Sequence, residues 1–411
     1  MSLLDDVSIV VTPNGYKAGE LYAVIPSDGA ADMDVTRATD ATRVDENGLI
    51  EDVLANVPRI DYTGGGCPHI LAEPQRTNLV IESEDFEDAS YGEYLVSYTP
   101  NFATSPSGVS NATKLTSSGA YGNMNLSFTK ATSAITYTQS VFIKANNYTL
   151  VNVISYGASS GDRVQVGFDL SDGTISTAAS STGAFSNASA TITSYTNDYY
   201  KISLTYTTDS SAQVRPYMQF PAIMDGTNYV VIWGMQLEES SYPTSYIPTS
   251  GSTVTRNQDI FTRDGIGSLI NSEEGVLFLE MAALQTTNTN AEYLVISDGT
   301  YTANSIMIQL RSGANQLAVW GYSGSVYQIA ETITLTDITD FNKIAIKWKL
   351  NDFEVFVNGS SVYSLATYTA PTGLDRIEFS RNGTAHFYGK VKQLQVYKTA
   401  LTDTQLAALT S

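Results

Sequence analysis

The stretch from Tyr229 to Arg256 constrains the fold most, because a continuous β pattern runs directly into two prolines. Residues 229–237 carry apolar side chains on both faces of an extended segment, which predicts a strand near the middle of a sheet. Pro243 and Pro248 fix φ and remove two backbone donors, so the strand cannot continue. We therefore expect one β-domain to end here and a short, stiff connector to lead into another. The predicted first face holds Tyr229, Val231, Trp233, Met235 and Leu237, and the second holds Val230 and Ile232.

The region before this stretch, residues 76–250, has short apolar runs separated by Gly, Ser and Asn turns. The runs at 136–144 and 164–170 alternate with the period of a strand, and the second ends in a Ser-Asp-Gly turn. No helical periodicity accompanies them. Strands at this spacing predict an antiparallel sandwich.

Residues 1–75 predict an irregular β region without a large core of its own. The apolar run 7–11 is expected to stop at 12–15, which contains Pro13 and Gly15. Residues 43–50 predict a hairpin, because Asn47-Gly48 tolerates the positive φ values of its turn. Such a region needs a neighbouring domain or partner chains to order it.

The last region, residues 260–411, begins with a predicted strand at 275–283. The segment 341–350 alternates most clearly, with three lysines facing away from its apolar side chains. A hairpin is predicted at 353–357 with its turn at 358–359, and a further strand at 387–397. Thr402 and Gln405 have the spacing of a capping box for a closing helix. The apolar face of 341–350 consists of Ile344, Ile346, Trp348 and Leu350.

Composition excludes several classes of function. The chain of 411 residues has 42 Asp and Glu against 22 Lys and Arg, a net charge of −20, and no basic patch. This argues against binding to nucleic acid or to anionic lipid. No segment reaches the ~18 apolar residues that span a membrane, and the N-terminus lacks the pattern of a signal peptide. Cys67 is the single cysteine, so no intrachain disulfide is possible.

The residues that usually perform catalysis are scarce. Cys67 and two histidines, His69 and His386, do not form a recognisable zinc site. A thiolate–imidazole pair at Cys67 and His69 is the weaker interpretation, and an ordinary surface or interface loop is the stronger one. Asp375 and Glu378 lie three residues apart and would face opposite sides of a strand. We expect no enzymatic activity and no cofactor.

A carboxylate pair for glycoside hydrolysis is also missing elsewhere, because Glu280 has no neighbouring acid.

Parts of the chain resemble three known families. The first is a linker of phage virion proteins described as head fibres, tail fibres or spikes, which residues 41–51, 57–59 and 71–79 resemble. The side chains of that linker are expected to hold an extended crossing by hydrogen bonds to backbone groups, with a ligand-binding role as the weaker alternative. These side chains are Glu73, Gln75, Arg76 and Asn78.

The motifs at 168–173, 199–204, 236–238 and 246–249 resemble the jelly-roll, carbohydrate-binding-module-like domains of phage fibres. Those at 343–348, 356–359, 387–391, 394–397 and 400–403, with Leu409, resemble the laminin-G/concanavalin A-like family. The latter family is often glycan- or protein-binding and holds calcium in some members, although no matching acidic cluster is identifiable here.

The predicted fold class is therefore all-β: an irregular N-terminal β region followed by two antiparallel sandwiches, a jelly roll and then a concanavalin A-like domain. The predicted divisions are 1–75, a virion-anchoring region; 76–250, the jelly roll; 251–259, a linker; and 260–411, the concanavalin A-like domain. The resemblance implies a phage appendage, head or tail fibre or decoration protein, that carries its sandwiches toward host-surface glycans.

The same resemblance implies other virion proteins as partners through residues 1–75, a homotrimer, and location in a virion assembled in the host cytoplasm. Two alternatives stay open: a polysaccharide-degrading tailspike, and a purely structural particle protein without receptor binding.

The segment 317–322 gives the candidate binding site. Trp320 and Tyr322 share one face of this segment, and Leu317 and Val319 share the other. If the aliphatic pair is buried, the aromatic pair with Tyr327 forms a platform on which sugar rings stack. The stronger interpretation places Trp320 in the inter-sheet core, where large aromatic side chains usually lie.

Overall fold

The structure is a computed structural model that describes residues 6–222, 224–286 and 292–411. It is all-β, as predicted, and it divides into two compact units. Unit 1 comprises Met1–Asp40, Val53–Pro74 and Asn257–Ser411, and unit 2 comprises Ala41–Asp52 and Gln75–Arg256.

The strands are numbered in chain order. The first seventeen are β1 (Val7–Lys17), β2 (Glu20–Ile25), β3 (Met33–Thr36), β4 (Ala41–Val44), β5 (Ile50–Val53), β6 (Ile60–Asp61), β7 (His69–Ala72), β8 (Arg76–Asn78), β9 (Gly92–Tyr94), β10 (Val96–Ala103), β11 (Ala112–Ser117), β12 (Asn123–Asn125), β13 (Phe128–Thr129), β14 (Thr136–Ala145), β15 (Leu150–Tyr156), β16 (Arg163–Asp169) and β17 (Thr174–Thr182). The others are β18 (Ser186–Ser194), β19 (Tyr200–Thr207), β20 (Gln213–Gln219), β21 (Tyr229–Glu238), β22 (Val254–Arg256), β23 (Ile260–Arg263), β24 (Glu274–Ala283), β25 (Glu292–Ser297), β26 (Ser305–Leu310), β27 (Gln316–Ser323), β28 (Val326–Thr334), β29 (Asn342–Lys349), β30 (Phe353–Val357), β31 (Ser360–Leu365), β32 (Arg376–Glu378) and β33 (Gly389–Tyr397). Short 3₁₀ turns lie at Thr196–Asp198 and Gly267–Leu269, and helix α1 spans Asp403–Thr410.

Unit 1 is built on one long antiparallel sheet that folds over a shared core. Its strand order is β28-β27-β26-β25-β32-β23-β3-β2-β1-β33-β24-β29-β30-β31, and off this path β7 pairs with β33 and β6 pairs with β7. Leu317 and Val319 from one end share a single hydrophobic cluster with Ile344, Ile346 and Val355 from the other. Two sheet ends that share one core form the two layers of a sandwich.

The N-terminal strands complete this sheet, so residues 1–75 do not form a separate region. Strand β1 pairs with β33 and β3 pairs with β23, while Ile9 and Leu21 are fully buried in the unit 1 core. The hairpin β4–β5 belongs instead almost wholly to unit 2. The predicted need for a neighbouring domain fits this arrangement, but the predicted division at residue 75 does not.

Strand β1 also passes through its predicted stop. It continues to Lys17 because the register shifts between the pairs Val11–Ala23 and Tyr16–Leu21, and this irregularity accommodates Pro13.

Local predictions in the C-terminal part agree with the structure. Ile344, Ile346 and Trp348 face the core from β29, whereas Leu350 follows the strand and is exposed. The capping box is present, since Thr402 Oγ1 accepts from Gln405 N and Gln405 Oε1 accepts from Thr402 N.

A buried ion network joins distant segments of unit 1. Asp259 Oδ1 accepts from Arg37 Nη1 at 2.9 Å, and its other oxygen contacts Arg59. Arg59 Nη1 donates to Glu73 Oε2 at 2.6 Å. Arg37 also donates hydrogen bonds to the backbone carbonyls of residues 39, 53, 54 and 57. All four charged side chains are buried, so each depends on the others for its solvation.

Unit 2 is a sandwich of two antiparallel sheets around its own core. One sheet has the order β10-β11-β21-β14-β19-β18, and the other has β17-β16-β15-β20-β12-β9 with β13 beside β20. Val230 and Leu237 from the first sheet and Val153, Val166 and Met218 from the second lie in one hydrophobic cluster.

Strand β21 is central in its sheet, as predicted, but its faces are not as predicted. Gly234 has φ +65°, and the register against β14 shifts beside it. This bulge places Met235 and Leu237 on the inter-sheet face with Val230 and Ile232. A Cβ at Gly234 would approach the Phe142 ring to 3.0 Å, so a larger residue is disfavoured there.

The segment after β21 packs on unit 2 instead of forming a free connector. Trp233 is buried, and its ring centroid lies 4.6 Å from that of Tyr246 and 5.3 Å from that of Phe142. Asn78 Nδ2 donates to Ile247 O at 2.9 Å, and Asn78 Oδ1 accepts from Leu237 N at 3.1 Å. For Asn78, the predicted hydrogen bonds to backbone groups are confirmed.

The ion network predicts a large effect of one substitution. Asp259→Asn leaves Arg37 and Arg59 buried with a single carboxylate, and should lower the free energy of unfolding by about 3–5 kcal/mol. Chemical denaturation of the full chain measures this. Asp264→Asn is the control, because Asp264 is exposed where it pairs with Arg376 and should cost about 1 kcal/mol or less. Equal losses in both variants would contradict the role given to the network.

Candidate functional site

The outer face of strands β25–β28 in unit 1 is the candidate site. Leu317 and Val319 of β27 point into the core, and alternation along the strand turns Trp320 and Tyr322 to the opposite face. Trp320 is half-buried and lies opposite Met307 of β26 in the strand register. The structure therefore supports the outward orientation of Trp320 and not the competing placement in the inter-sheet core.

The three residues predicted from the sequence lie together. The Tyr327 ring centroid is 5.6 Å from that of Trp320 and 5.1 Å from that of Tyr322, at angles of 60° and 67°. Such tilted and edge-to-face contacts are the favoured geometry for aromatic pairs. Tyr327 is 43% exposed, so one ring of the cluster is open to solvent. Trp320 Nε1 donates to Gln309 Oε1 at 2.7 Å, which fixes the indole.

Two further tyrosines and an arginine extend the cluster. The Arg381 guanidinium carbon lies 4.4 Å from the Tyr293 ring centroid and 4.9 Å from the Tyr301 centroid, within range of cation–π attraction to both rings. Arg381 Nη1 also donates to Tyr293 Oη at 2.9 Å. Arg381 Nε is buried and has no hydrogen-bond partner among the described residues. We call Tyr293, Tyr301, Trp320, Tyr322, Tyr327 and Arg381 the aromatic platform.

Two phenols of the platform, those of Tyr293 and Tyr327, stay protonated at neutral pH. Burial raises the pKa of Tyr293, opposed by the positive charge of Arg381, and burial also raises the pKa of Tyr327. A neutral phenol both donates and accepts a hydrogen bond. The platform therefore combines ring faces with hydroxyl, amide and guanidinium groups, the mixture that binds a ligand with both C–H and O–H surfaces.

The residues considered for catalysis are not brought together. Cys67 is exposed, whereas His69 is buried and its Nε2 lies 3.3 Å from Asp61 Oδ1. His386 Nε2 faces Gln258 Nε2 at 3.1 Å, a contact whose donor depends on the tautomer. His69 begins strand β7 instead of lying in the predicted surface or interface loop, and its ring packs against Phe341 with centroids 5.7 Å apart.

The acidic residues considered for hydrolysis have separate structural partners. Glu378 is buried and accepts from Ser380 Oγ and Asn382 N, and Asp375 Oδ1 accepts from Gly267 N at 2.6 Å. Glu280 lies 3.7 Å from Lys392 Nζ. Within residues 6–222, 224–286 and 292–411, no group of three or more His, Cys, Asp or Glu side chains could hold a metal ion.

Sequence reasoning missed half of the platform. Tyr293 had a usable signal, because it alternates with the buried Leu294 along β25. Arg381 had none: it follows β32 and reaches Tyr293 across 88 positions of sequence. Tyr301 lies in a loop, where no periodicity identifies the direction of a side chain.

Comparisons with known proteins agree with the sheet architecture. Residues 282–407, which carry the platform, match the family model described as the concanavalin A-like lectin/glucanases superfamily. This part of the chain is a concanavalin A-like domain. The match covers less than half of the chain. A search of curated proteins gave no match.

Similar solved structures include carbohydrate-binding domains. The CBM40 of Ruminococcus gnavus IT-sialidase, bound to α2,3-sialyllactose, is 18% identical with a TM-score of 0.29, covering 34% of this chain and 84% of that one. Domain 4 of AbnA, a GH43 arabinanase from Geobacillus stearothermophilus in complex with arabinotriose, is 18% identical with a TM-score of 0.30, covering 42% and 84%. Similarity at this level does not assign the ligands of those proteins to this chain.

The described residues also include no helix with the length and hydropathy needed to cross a membrane.

The environment of His69 predicts a pH dependence of stability. Burial lowers the pKa of His69 to about 4 from its ordinary 6.5, against the opposing effect of Asp61. Between pH 6.5 and about 4, His69 is protonated in the unfolded chain but mostly neutral in the folded chain. The free energy of unfolding should therefore fall as the pH falls from 6.5 toward 4. The slope from this group is at most about 1.4 kcal/mol per pH unit.

Denaturant unfolding between pH 7 and pH 4.5 tests the assignment. His69→Gln should flatten the pH dependence, whereas His386→Gln should retain the His69 contribution. An unchanged slope in His69→Gln would show that another group carries the effect.

Proposed function

We propose that this chain is a non-enzymatic glycan-binding protein and that the aromatic platform holds the sugar. The observation that carries the proposal is the cluster of Trp320, Tyr322 and Tyr327 on the outer face of a concanavalin A-like sheet. Sugar rings present C–H faces that pack on aromatic rings. Their hydroxyls would pair with the phenols and with Arg381, whose Nε is buried without a partner among the described residues.

Binding fits the chemistry of the platform better than catalysis does. Glycoside hydrolysis needs two carboxyl groups across the cleaved bond. The rings and guanidinium that form the platform include no carboxylate. The tailspike alternative would require an acid pair elsewhere on the chain.

We further propose that the protein is an appendage of a phage particle, as the linker resemblance implies. In this account, residues 1–75 contact other virion proteins, the appendage is a homotrimer, and the sandwiches meet glycans of the host surface. Because β1, β3 and β7 are part of the unit 1 sheet, the anchor must use exposed parts of this region. Leu54, which is 68% exposed, and the loop that holds Cys67 are such parts.

Glycan binding is tested with an array of host-surface oligosaccharides followed by titration of the best ligand. Trp320→Ala and Tyr327→Ala should each weaken binding by roughly 2- to 12-fold, since a lost ring contact costs about 0.5–1.5 kcal/mol. The matched control is Val326→Ala. Val326 is 59% exposed next to Tyr327 but offers no ring.

Thermal unfolding of each variant separates lost contacts from lost folding. Unchanged affinity in folded Trp320→Ala and Tyr327→Ala variants would overturn the platform assignment. No binding by the intact assembly would favour the purely structural alternative, and release of oligosaccharides from host polysaccharide would favour the tailspike.

The single cysteine tests the anchor. Free protein should react with one equivalent of maleimide at the exposed Cys67. In intact particles, this thiol should be protected or should crosslink to another virion protein with a short bifunctional reagent. Full labelling in particles without any crosslink would contradict contact through this loop.

A further inference from the structure

The outer face of the seven-stranded sheet in unit 2 carries a second ordered set of side chains. In the strand register, Arg215 of β20 lies beside Tyr156 of β15, and Tyr156 lies beside Arg163 of β16. The neighbouring row places Tyr217 next to Ile154, which is followed by Gln165. Alternation turns the intervening residues, including Val153, Val164 and Met218, into the core.

The aromatic part of this face is preformed. The rings of Tyr156 and Tyr217 meet edge to face, with centroids 5.1 Å apart and an angle of 78°. Arg215 is held at this pair, because its Nε and Nη2 both donate to Gly157 O, at 3.0 and 2.6 Å. Its guanidinium carbon lies 5.9 Å from the Tyr156 centroid. Both tyrosines and both arginines are half-buried, so the face is open to solvent but its side chains are supported.

Amide side chains surround the rings. Asn125 of β12 lies beside Tyr217, and Asn123 lies beside Gln219, which in turn lies beside Asn152. An amide side chain has two N–H donors and an acceptor oxygen. Asn123 Nδ2 donates to Tyr121 O, and Asn125 Nδ2 donates to Gly92 O and Asn123 Oδ1. Four neighbouring strands, β12, β20, β15 and β16, span about 14 Å at their usual spacing. That width accommodates a short oligosaccharide.

Two positive charges lie on this face of a strongly acidic chain. The chain has a net charge of −20 and only 22 Lys and Arg, yet Arg163 and Arg215 flank one tyrosine. The two rows that hold Tyr156 and Tyr217 contain no acidic residue. A planar guanidinium pairs with a carboxylate through two parallel hydrogen bonds. Arg215 uses two of its five N–H donors on Gly157 and keeps others for a ligand.

We propose that this face of unit 2 binds a carboxylated oligosaccharide, with the carboxylate at Arg163 and Arg215 and the sugar rings against Tyr156 and Tyr217. The amides would accept and donate hydrogen bonds to the sugar hydroxyls. This site shares no residue with the aromatic platform, so either site can fail without the other.

The test compares two probes that differ only in charge. Calorimetric titration uses full-length protein with oligogalacturonides of three to four sugars, and with the same oligomers after reduction of their carboxyl groups to alcohols. The acidic probe should bind at least about tenfold more tightly at low salt, because the carboxylate supplies the charge-assisted hydrogen bonds. This advantage should shrink as salt screens the charges.

Variants locate the site. Arg163→Gln should remove the preference for the acidic probe, Arg163→Lys should retain part of it, and Tyr217→Ala should weaken both probes. Tyr327→Ala, in unit 1, should leave the acidic preference unchanged. Equal binding of the two probes, or an acidic preference that survives Arg163→Gln in a folded protein, would overturn the proposal. Loss of the preference in Tyr327→Ala would assign it to the platform instead.

Discussion

The buried carboxylate of Asp259 is the interaction on which unit 1 depends. It forms ion pairs with Arg37 and Arg59, and it accepts a hydrogen bond from the backbone N–H of Glu73 at 2.9 Å. These groups come from three separated parts of the chain: one before the first segment of unit 2, one between its two segments and one after both. An isolated charge in such a place would cost several kcal/mol, so the segments are stable only when all are present. The network therefore supports the assembly of one sandwich from a discontinuous chain.

Alternation of side chains along β27 produces the solvent-facing aromatic cluster of unit 1. The N-terminal strands supply Ile9, Val11 and Leu21 to the same core cluster as Leu317 and Val319 of β27. Trp320 of that strand lies on the opposite face, next to Tyr327. Arg381, held between Tyr293 and Tyr301, adds a fixed positive charge to a strongly acidic molecule. The buried face and the proposed binding face of β27 both follow from one alternation of side chains.

The sequence predicted those features that local chemistry determines. Alternation identified the core face of β29, the Thr402 capping box identified α1, and the 317–322 pattern identified the two possible faces of Trp320. It did not predict that β1 pairs with β33, because that pairing joins residues almost 400 positions apart through a shifted register. It also missed the bulge at Gly234, which exchanges the faces of β21. The Tyr229–Leu237 stretch is still the central strand of its sheet, but the prolines after it lie in a segment that covers Trp233.

Tryptophan fluorescence tests the central claim most directly. The three tryptophans are Trp233, Trp320 and Trp348; Trp233 and Trp348 are buried at 2% and 0% exposure, and Trp320 alone faces a surface. If the platform holds a glycan, titration with the ligand found on the array should change the tryptophan emission, and Trp320→Phe should abolish the change. Saturable binding with unchanged emission in the wild-type protein, or an identical change in Trp320→Phe, would contradict the account.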